Sequence, residues 1–285
     1  MQKREQSTIS VCTVETWWTG YFVQLCSVSA LRKIISRLIV FFSLLFFCTL
    51  SVEDVLADNV VYLSSLEWPP YTGESLVDNG ESAKIVREAF AVMGYELKIV
   101  FVPWKRAMRM VESDVQVAGY FPEYYSAKRA DKYLFSKPYS CSPVGLLMRR
   151  RNPVHWDSVN DLAGYRLGFV AGYVNTKELD DAVANGSIIA DYAPHDESNI
   201  IKIAKGRVDA GVIDPLVYDY ILKSSPEMDK LKSTVVMHEK IFGMNELYIA
   251  FNDDPTGRKY VRIFNEGLKR MRTLHSLPEC KVIEK

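Results

Sequence analysis

From position 60 onward, short β-branched and aromatic runs alternate with longer segments whose apolar residues recur every three or four positions, and this alternation constrains the fold more than any other feature. Strand, helix and strand in that order specify an α/β protein with largely parallel sheet, because parallel neighbours need a crossover long enough to hold a helix. Residues 60–64 read as the first strand. The turn Glu67-Trp68-Pro69-Pro70-Tyr71-Thr72-Gly73 follows, stiffened by two prolines that fix φ and push the residues before them into extended conformations. Ile85, Val86, Ala89, Phe90 and Met93 lie at helical spacing, Gly94 is placed to end that helix, and residues 96–102 alternate as a strand. Pro103 suits the first turn of a second helix reaching about Glu112, after which residues 115–120 form a buried strand.

A second series begins after an extended apolar run at 144–148. Asn152-Pro153 interrupts the chain, and Ser158 to Leu162 carries a short helix signal. Strands at 165–170, 188–192 and 209–213 then alternate with helices at 175–184 and 197–205 and with a helix opened by Asp214-Pro215. Residues 246–251 are again apolar and extended, and Val261, Phe264, Leu268 and Met271 mark one face of a long last helix over 256–274. Two central strands separated by a whole βα series imply two crossings between lobes, with 58–145 and 250–285 in the first lobe and 146–249 in the second.

Upstream lies an address. Arg32, Lys33 and Arg37 precede an apolar stretch from Leu38 to Leu50, and Val55-Leu56-Ala57 supplies a signal-peptidase site. Residues 31–57 therefore read as a secretory signal cleaved after Ala57, within a leader 1–57 that is unusually long; a start at Val28 or Leu31 would account for the excess. Thirteen residues make ~20 Å of helix against a hydrocarbon core of roughly 30 Å, so retention as a membrane anchor is the weaker alternative. Removing 57 of 285 residues leaves 228 for the folded part. At 48% hydrophobic and 25% charged, the composition excludes a disordered or multi-span membrane chain, and 35 basic residues balanced by 35 acidic ones argue against a nucleic-acid partner. The five cysteines contain no C-x-x-C pair, which removes the common zinc and thioredoxin-like spacings. After cleavage only Cys141 and Cys280 remain, in an oxidising compartment, either as one disulfide or as two separate buried thiols.

Four stretches in a fixed order carry a resemblance. They are Trp68 to Tyr71; Ser126-Ala127-Lys128-Arg129 followed by Phe135-Ser136-Lys137-Pro138-Tyr139; Asp161-Leu162-Ala163-Gly164; and Gly206-Arg207-Val208-Asp209-Ala210 leading to Asp214. Across residues 58–285 the chain resembles the bacterial periplasmic solute-binding proteins of the polar amino-acid family, family 3, the capture components of ABC importers. The resemblance implies two α/β lobes of the type II periplasmic-binding-protein-like fold, joined by a two-strand hinge and closing on a ligand in the cleft. It also implies a periplasmic monomer that captures an amino acid or related carboxylate, needs no cofactor or metal, and delivers to an ABC permease in the inner membrane.

In the family the arginine of the S-x-K-R stretch grips the ligand carboxylate, which makes Arg129 the principal anchor; a guanidinium fork suits a carboxylate where a lysine offers only a point charge. On the residues alone Arg129 reads as a surface arginine at a helix end, among Lys128, Asp131 and Lys132. Asp214 matches the family's acidic partner for the ligand ammonium, and as the residue before Pro215 it also suits a helix cap. Tyr71 or Trp68 offers an aromatic face over the ligand, with Trp104, Tyr120 and Tyr173 as further cleft candidates by position. Two departures stand out: Phe121-Pro122-Glu123-Tyr124-Tyr125 replaces the small hydroxyl residues common before the arginine, and Gly172-Tyr173-Val174-Asn175 replaces a hydroxyl-rich turn. Proline has no N–H for a carboxylate, so the carboxylate site is rearranged, while the helix start near Asn175 still offers amide donors.

Signatures of catalysis are sparse. H-E-x-x-H, G-x-S-x-G and both phosphate-binding glycine motifs are absent, and the four histidines are scattered between elements. The enzyme alternative is an exported dehydratase acting on a cyclohexadienyl acid, with Glu67 or Glu123 as general acid; a ligand-sensing periplasmic module is the other alternative.

Overall fold

The computed structural model describes residues 59–274 and, within the leader, Arg32, Ile35, Ser36 and Ile39, which are helical and exposed. The chain divides into two compact units, Met1–Asp58 and Asn59–Lys285. The expected signal 31–57 (those four positions apart), its cleavage site at Ala57, and Cys280 lie outside the described residues. Among the described residues no helix is long and apolar enough to cross a membrane. Cys141 is half-buried.

The second unit begins with β1 (Val60–Ser65), α1 (Glu81–Ala91), β2 (Glu96–Phe101), α2 (Trp104–Ser113) and β3 (Val117–Tyr124). β1 is central and pairs in parallel with β2 and β3, so the first crossover joins neighbours and the second passes over β1. α1 buries Ala83, Val86, Ala89 and Phe90, the face that helical spacing marked. A short α3 (Ala127–Ala130) and β4 (Tyr133–Phe135) lead to β5 (Ser140–Arg149). The second series then runs β6 (Arg166–Val170), α4 (Lys177–Ala184), β7 (Ile189–Ala193), α5 (Asp196–Ala204), β8 (Ala210–Ile213), α6 (Pro215–Ser224) and α7 (Pro226–Asp229). β9 (Val235–Asn252) returns to the first series, and α8 (Pro255–Leu274) closes it. Phe264, Leu268 and Met271 of α8 are buried and Val261 is half-buried. A Cβ at Gly267 would stand 1.9 Å from the Ala89 carbonyl oxygen, so glycine is what lets α8 lie directly on α1.

One curled sheet of nine strands runs β2-β1-β3-β9-β5-β8-β6-β7, with β4 beside β9. The outer strands on each side are parallel, and the middle is antiparallel. β5 and β9 are the two crossings: they pair from Ser140↔Leu247 to Arg149↔Val235, over the whole of β5. The last residues of β9 pair instead with β3 and β4, so a single strand serves both halves of the fold. The apolar cores are correspondingly separate. One gathers Val61, Leu63, Phe90, Trp104, Phe251 and Phe264, whereas Leu146, Leu162 and Phe169 form a second and Ile200, Ile203 and Leu222 a third. The result is a two-lobed α/β fold with a two-strand hinge.

Two strands differ from their expected bounds. β9 has 18 residues where the sequence marks only 246–251, because after the buried Val235 the residues as far as Glu246 are half-buried or exposed and carry no apolar alternation. β3 starts at Val117, leaving Val115 97% exposed, and continues through Phe121-Pro122-Glu123-Tyr124. This extension carries Glu123 into the interior.

Candidate functional site

The turn after β1 is closed on itself: Thr72 N–H donates to the Trp68 carbonyl, and Ser82 N–H donates to the Tyr71 carbonyl, tying the turn to the first residues of α1. The Pro69-Pro70 peptide is cis. Held this way, the Trp68 and Tyr71 rings stack with centroids 4.4 Å apart, and both are buried. Tyr71 Oη donates to Asp214 Oδ2 at 2.8 Å, and Ser142 Oγ of β5 donates to the same oxygen. Asp214 Oδ1 meanwhile accepts the N–H groups of Leu216 (2.6 Å) and Val217 (3.2 Å), capping α6. The cap and the second contact coexist by dividing the two oxygens between them. Both are engaged within the protein, and burial raises the Asp214 carboxyl above its ordinary range.

Arg129 reaches the gap between the lobes. Ser126 Oγ accepts from Arg129 N–H and closes a one-turn helix that folds the arginine back over the end of β3. Its Nε lies 3.2 Å from Glu123 Oε2, and Nη2 donates to the Gly172 carbonyl at 2.8 Å. Trp104 Nε1 donates to that same carbonyl at 3.0 Å, so two side chains of the first lobe converge on one backbone oxygen after β6. Glu123, 2% exposed, also accepts from Tyr120 Oη and from Tyr124 N–H, both at 3.0 Å. Desolvation pushes its carboxyl up to about 7 despite the guanidinium, which pulls the other way. Asp196, at the start of α5, accepts from Tyr173 Oη at 3.2 Å and is likewise pushed up to about 7, chiefly by burial and further by the Asp214 charge.

Between these groups lies a small pocket walled by Trp68, Trp104, Tyr124 and Tyr173, with Glu123 on one side. Leu66, Pro122 and Val174 complete the wall. The rings meet nearly at right angles: Trp68 with Tyr124 at 78°, Trp68 with Tyr173 at 81°, and Trp104 with Tyr173 at 90°. Their polar tips are engaged away from one another, Tyr124 Oη with Ser142 Oγ at 2.5 Å and Tyr173 with Asp196.

Of the seven residues singled out from sequence, Trp68, Trp104 and Tyr173 line this pocket, whereas Tyr71 sits behind Trp68 and Tyr120 lies behind Trp104 and Glu123. Arg129 holds the lining residue Glu123, and Asp214 holds Tyr71, one residue removed from the wall. The amide expected at Asn175 is taken by Asp180 Oδ2 at 3.1 Å. Tyr124 and Asp196 were missed, and Glu123 was weighed only as a general acid. Glu67, the other acid weighed, is exposed and accepts from Glu74 N–H. Among the described residues no group of three or more potential ligands could hold a metal ion.

Two lobes, two crossing strands and a pocket walled from both sides define the class of lobed, ligand-binding α/β proteins. The sequence profile of the bacterial extracellular solute-binding proteins, family 3, matches residues 61–280, and the chain belongs to that family. Solved structures agree in fold. A histidine kinase sensor domain with similarity to periplasmic binding proteins superposes with a TM-score of 0.65 at 18% identity, covering 79% of this chain and 98% of its own. The arginine-bound form of truncated ArgBP from T. maritima gives 0.59 at 17%, covering 75% and 96%. A putative L-cystine ABC transporter from Listeria monocytogenes gives 0.60 at 19%, covering 77% and 92%. No curated protein matches the chain.

Proposed function

We propose that this protein captures a small polar organic solute reversibly outside the cytoplasm, by closure of its lobes over the pocket at Trp68, and hands it to an ABC permease. One observation carries the reading: the wall combines Trp68, Trp104 and Glu123, which precede β5, with Tyr173 and Val174, which follow β6, so the site is complete only when the lobes meet. Among neighbours of the same fold are an arginine-bound ArgBP and a protein described as a putative L-cystine ABC transporter, which supports a cargo of amino-acid size. The proposed lobes are 58–145 with 250–285, and 146–249, in a monomer exported with loss of residues 1–57.

Arg129 takes a different part in this proposal from the one its motif suggests. Its Nε faces Glu123 and Nη2 faces Gly172, so it ties the lobes together and leaves mainly Nη1 for a ligand oxygen. Asp214, with both oxygens engaged, holds Tyr71 and α6 in place.

The test is thermal unfolding of the purified protein against amino acids, amines, dipeptides and organic acids, since a solute that binds only the folded state raises apparent stability. A hit that also reduces the radius of gyration in small-angle scattering bears the reading out; a panel without any hit removes it. One observation favours a second reading, the dehydratase: Glu123 is a buried acid on the pocket wall whose carboxyl is pushed up to about 7, in the range a general acid needs. Turnover of prephenate or arogenate by the purified protein would replace capture with catalysis.

A further inference from the structure

We propose that the pocket takes a carboxylate-free organic cation, a protonated or quaternary alkylammonium group seated among the rings of Trp68, Trp104, Tyr124 and Tyr173. The inference rests on the capture reading and specifies its cargo. Four aromatic side chains line the space, three pairs of them set nearly perpendicular, and the hydroxyls of Tyr124 and Tyr173 are engaged with Ser142 and Asp196. An aromatic ring carries negative charge on its face, so such an enclosure attracts a cation and repels a carboxylate. The charged side chains point the same way. The only ionisable acid or base in the wall besides the tyrosines is Glu123, a carboxylate.

Behind the wall the balance is also negative. Arg129 is matched by Glu123, and this pair is close to neutral as a unit. Asp196 stands behind Tyr173, and Asp214 behind Tyr71 and, through Ser142, behind Tyr124. Among the described residues neither aspartate has an ion pair. An entering carboxylate would find Arg129 already shared between Glu123 and the Gly172 carbonyl and would have to compete with them for it. An alkylammonium would meet rings first and carboxyl groups next, and its charge would offset the negative excess that burial makes unfavourable.

The experiment titrates the purified protein at pH 8 with tetramethylammonium and n-butylammonium chloride, and in parallel with sodium n-butyrate, glycine and L-glutamate. Tryptophan fluorescence reports on Trp68 and Trp104, and calorimetry gives the affinities. We expect at least one of the two cations to bind at least about 10-fold more tightly than every carboxylate-bearing solute. Trp68→Leu and Glu123→Gln should each weaken that cation by about 5-fold or more. Where either variant is misfolded by circular dichroism, Trp68→Phe, which retains a ring of smaller area, should weaken it by about 2-fold. The proposal is overturned if neither cation binds, or if a carboxylate-bearing solute binds as tightly as the cations. In that last case binding accompanied by lobe closure leaves capture standing and removes only the charge assignment; failure of the wider solute panel removes capture itself.

Discussion

The phenol of Tyr71 and the carboxylate of Asp214, 143 residues apart in sequence, meet at 2.8 Å where the two lobes and the hinge strand β5 come together. Tyr71 brings the rigid turn after β1, Asp214 brings α6, and Ser142 brings β5. Removing the phenolic hydrogen bond leaves a buried carboxylate oxygen with one donor fewer while the stack on Trp68 remains. Tyr71→Phe should therefore cost about 1–3 kcal/mol in urea unfolding and enlarge the radius of gyration of the unliganded protein. Unchanged stability and size would show that the contact does not hold the lobes.

Removing Arg129 strands Glu123. Breaking a fully buried ion pair costs about 3–5 kcal/mol. Here the arginine side chain is 24% exposed, so the expected loss for Arg129→Ala is nearer ~2 kcal/mol. Adding Glu123→Gln should restore most of it, because the second change removes the charge left without a partner. A double-mutant cycle reads this directly, and additive losses would show that the two residues act independently.

Stability should fall as pH rises from about 4 to 7. Glu123 and Asp196 are both pushed up to about 7 from ordinary values of 4.5 and 3.8. In that window the folded chain keeps protons that the unfolded chain has lost, so folding takes up protons and is favoured at the acid end. Each group contributes on the order of 3 kcal/mol of this slope. Arg129, Tyr120 and Tyr124 face Glu123, and Tyr173 and Asp214 face Asp196. Chemical denaturation at pH 5 and pH 8 should show a smaller drop for the Glu123→Gln/Asp196→Asn variant than for the parent. Equal drops would place the titration elsewhere.

Gly172 should resist substitution. Its φ of +94° is unfavourable for any side chain, a Cβ there would lie 3.2 Å from Met108 Cε, and its carbonyl receives both Trp104 and Arg129. Gly172→Ala should lower stability by about 1 kcal/mol and weaken solute binding by more than its stability loss alone explains. Calorimetry on the variant, at a temperature where it is fully folded, separates the two effects.

Much of this was legible beforehand. The βα alternation gave two lobes and two crossings, the double proline marked the turn that presents Trp68, and Asp214 before Pro215 marked a cap that the structure contains. Glu123 was less visible because Pro122 argues against strand continuation, whereas β3 runs on past it and turns the glutamate inward. Asp196 has the pattern of an ordinary acidic residue in a helix first turn, and nothing local marks it as 6% exposed. Pairings such as Arg129 with Glu123 depend on how a one-turn helix folds back over a strand end, which periodicity does not encode.

Both connections between the lobes are strands hydrogen-bonded to each other over the full length of β5, and β9 continues into the sheets of both halves. Flexure in such a join is shared among many peptide units, as in a leaf spring, instead of being concentrated at one loose swivel. Opening the jaws therefore means twisting a ribbon whose ladder stays intact, and the ease of cargo release is set by the stiffness of that ribbon together with the strength of the grip.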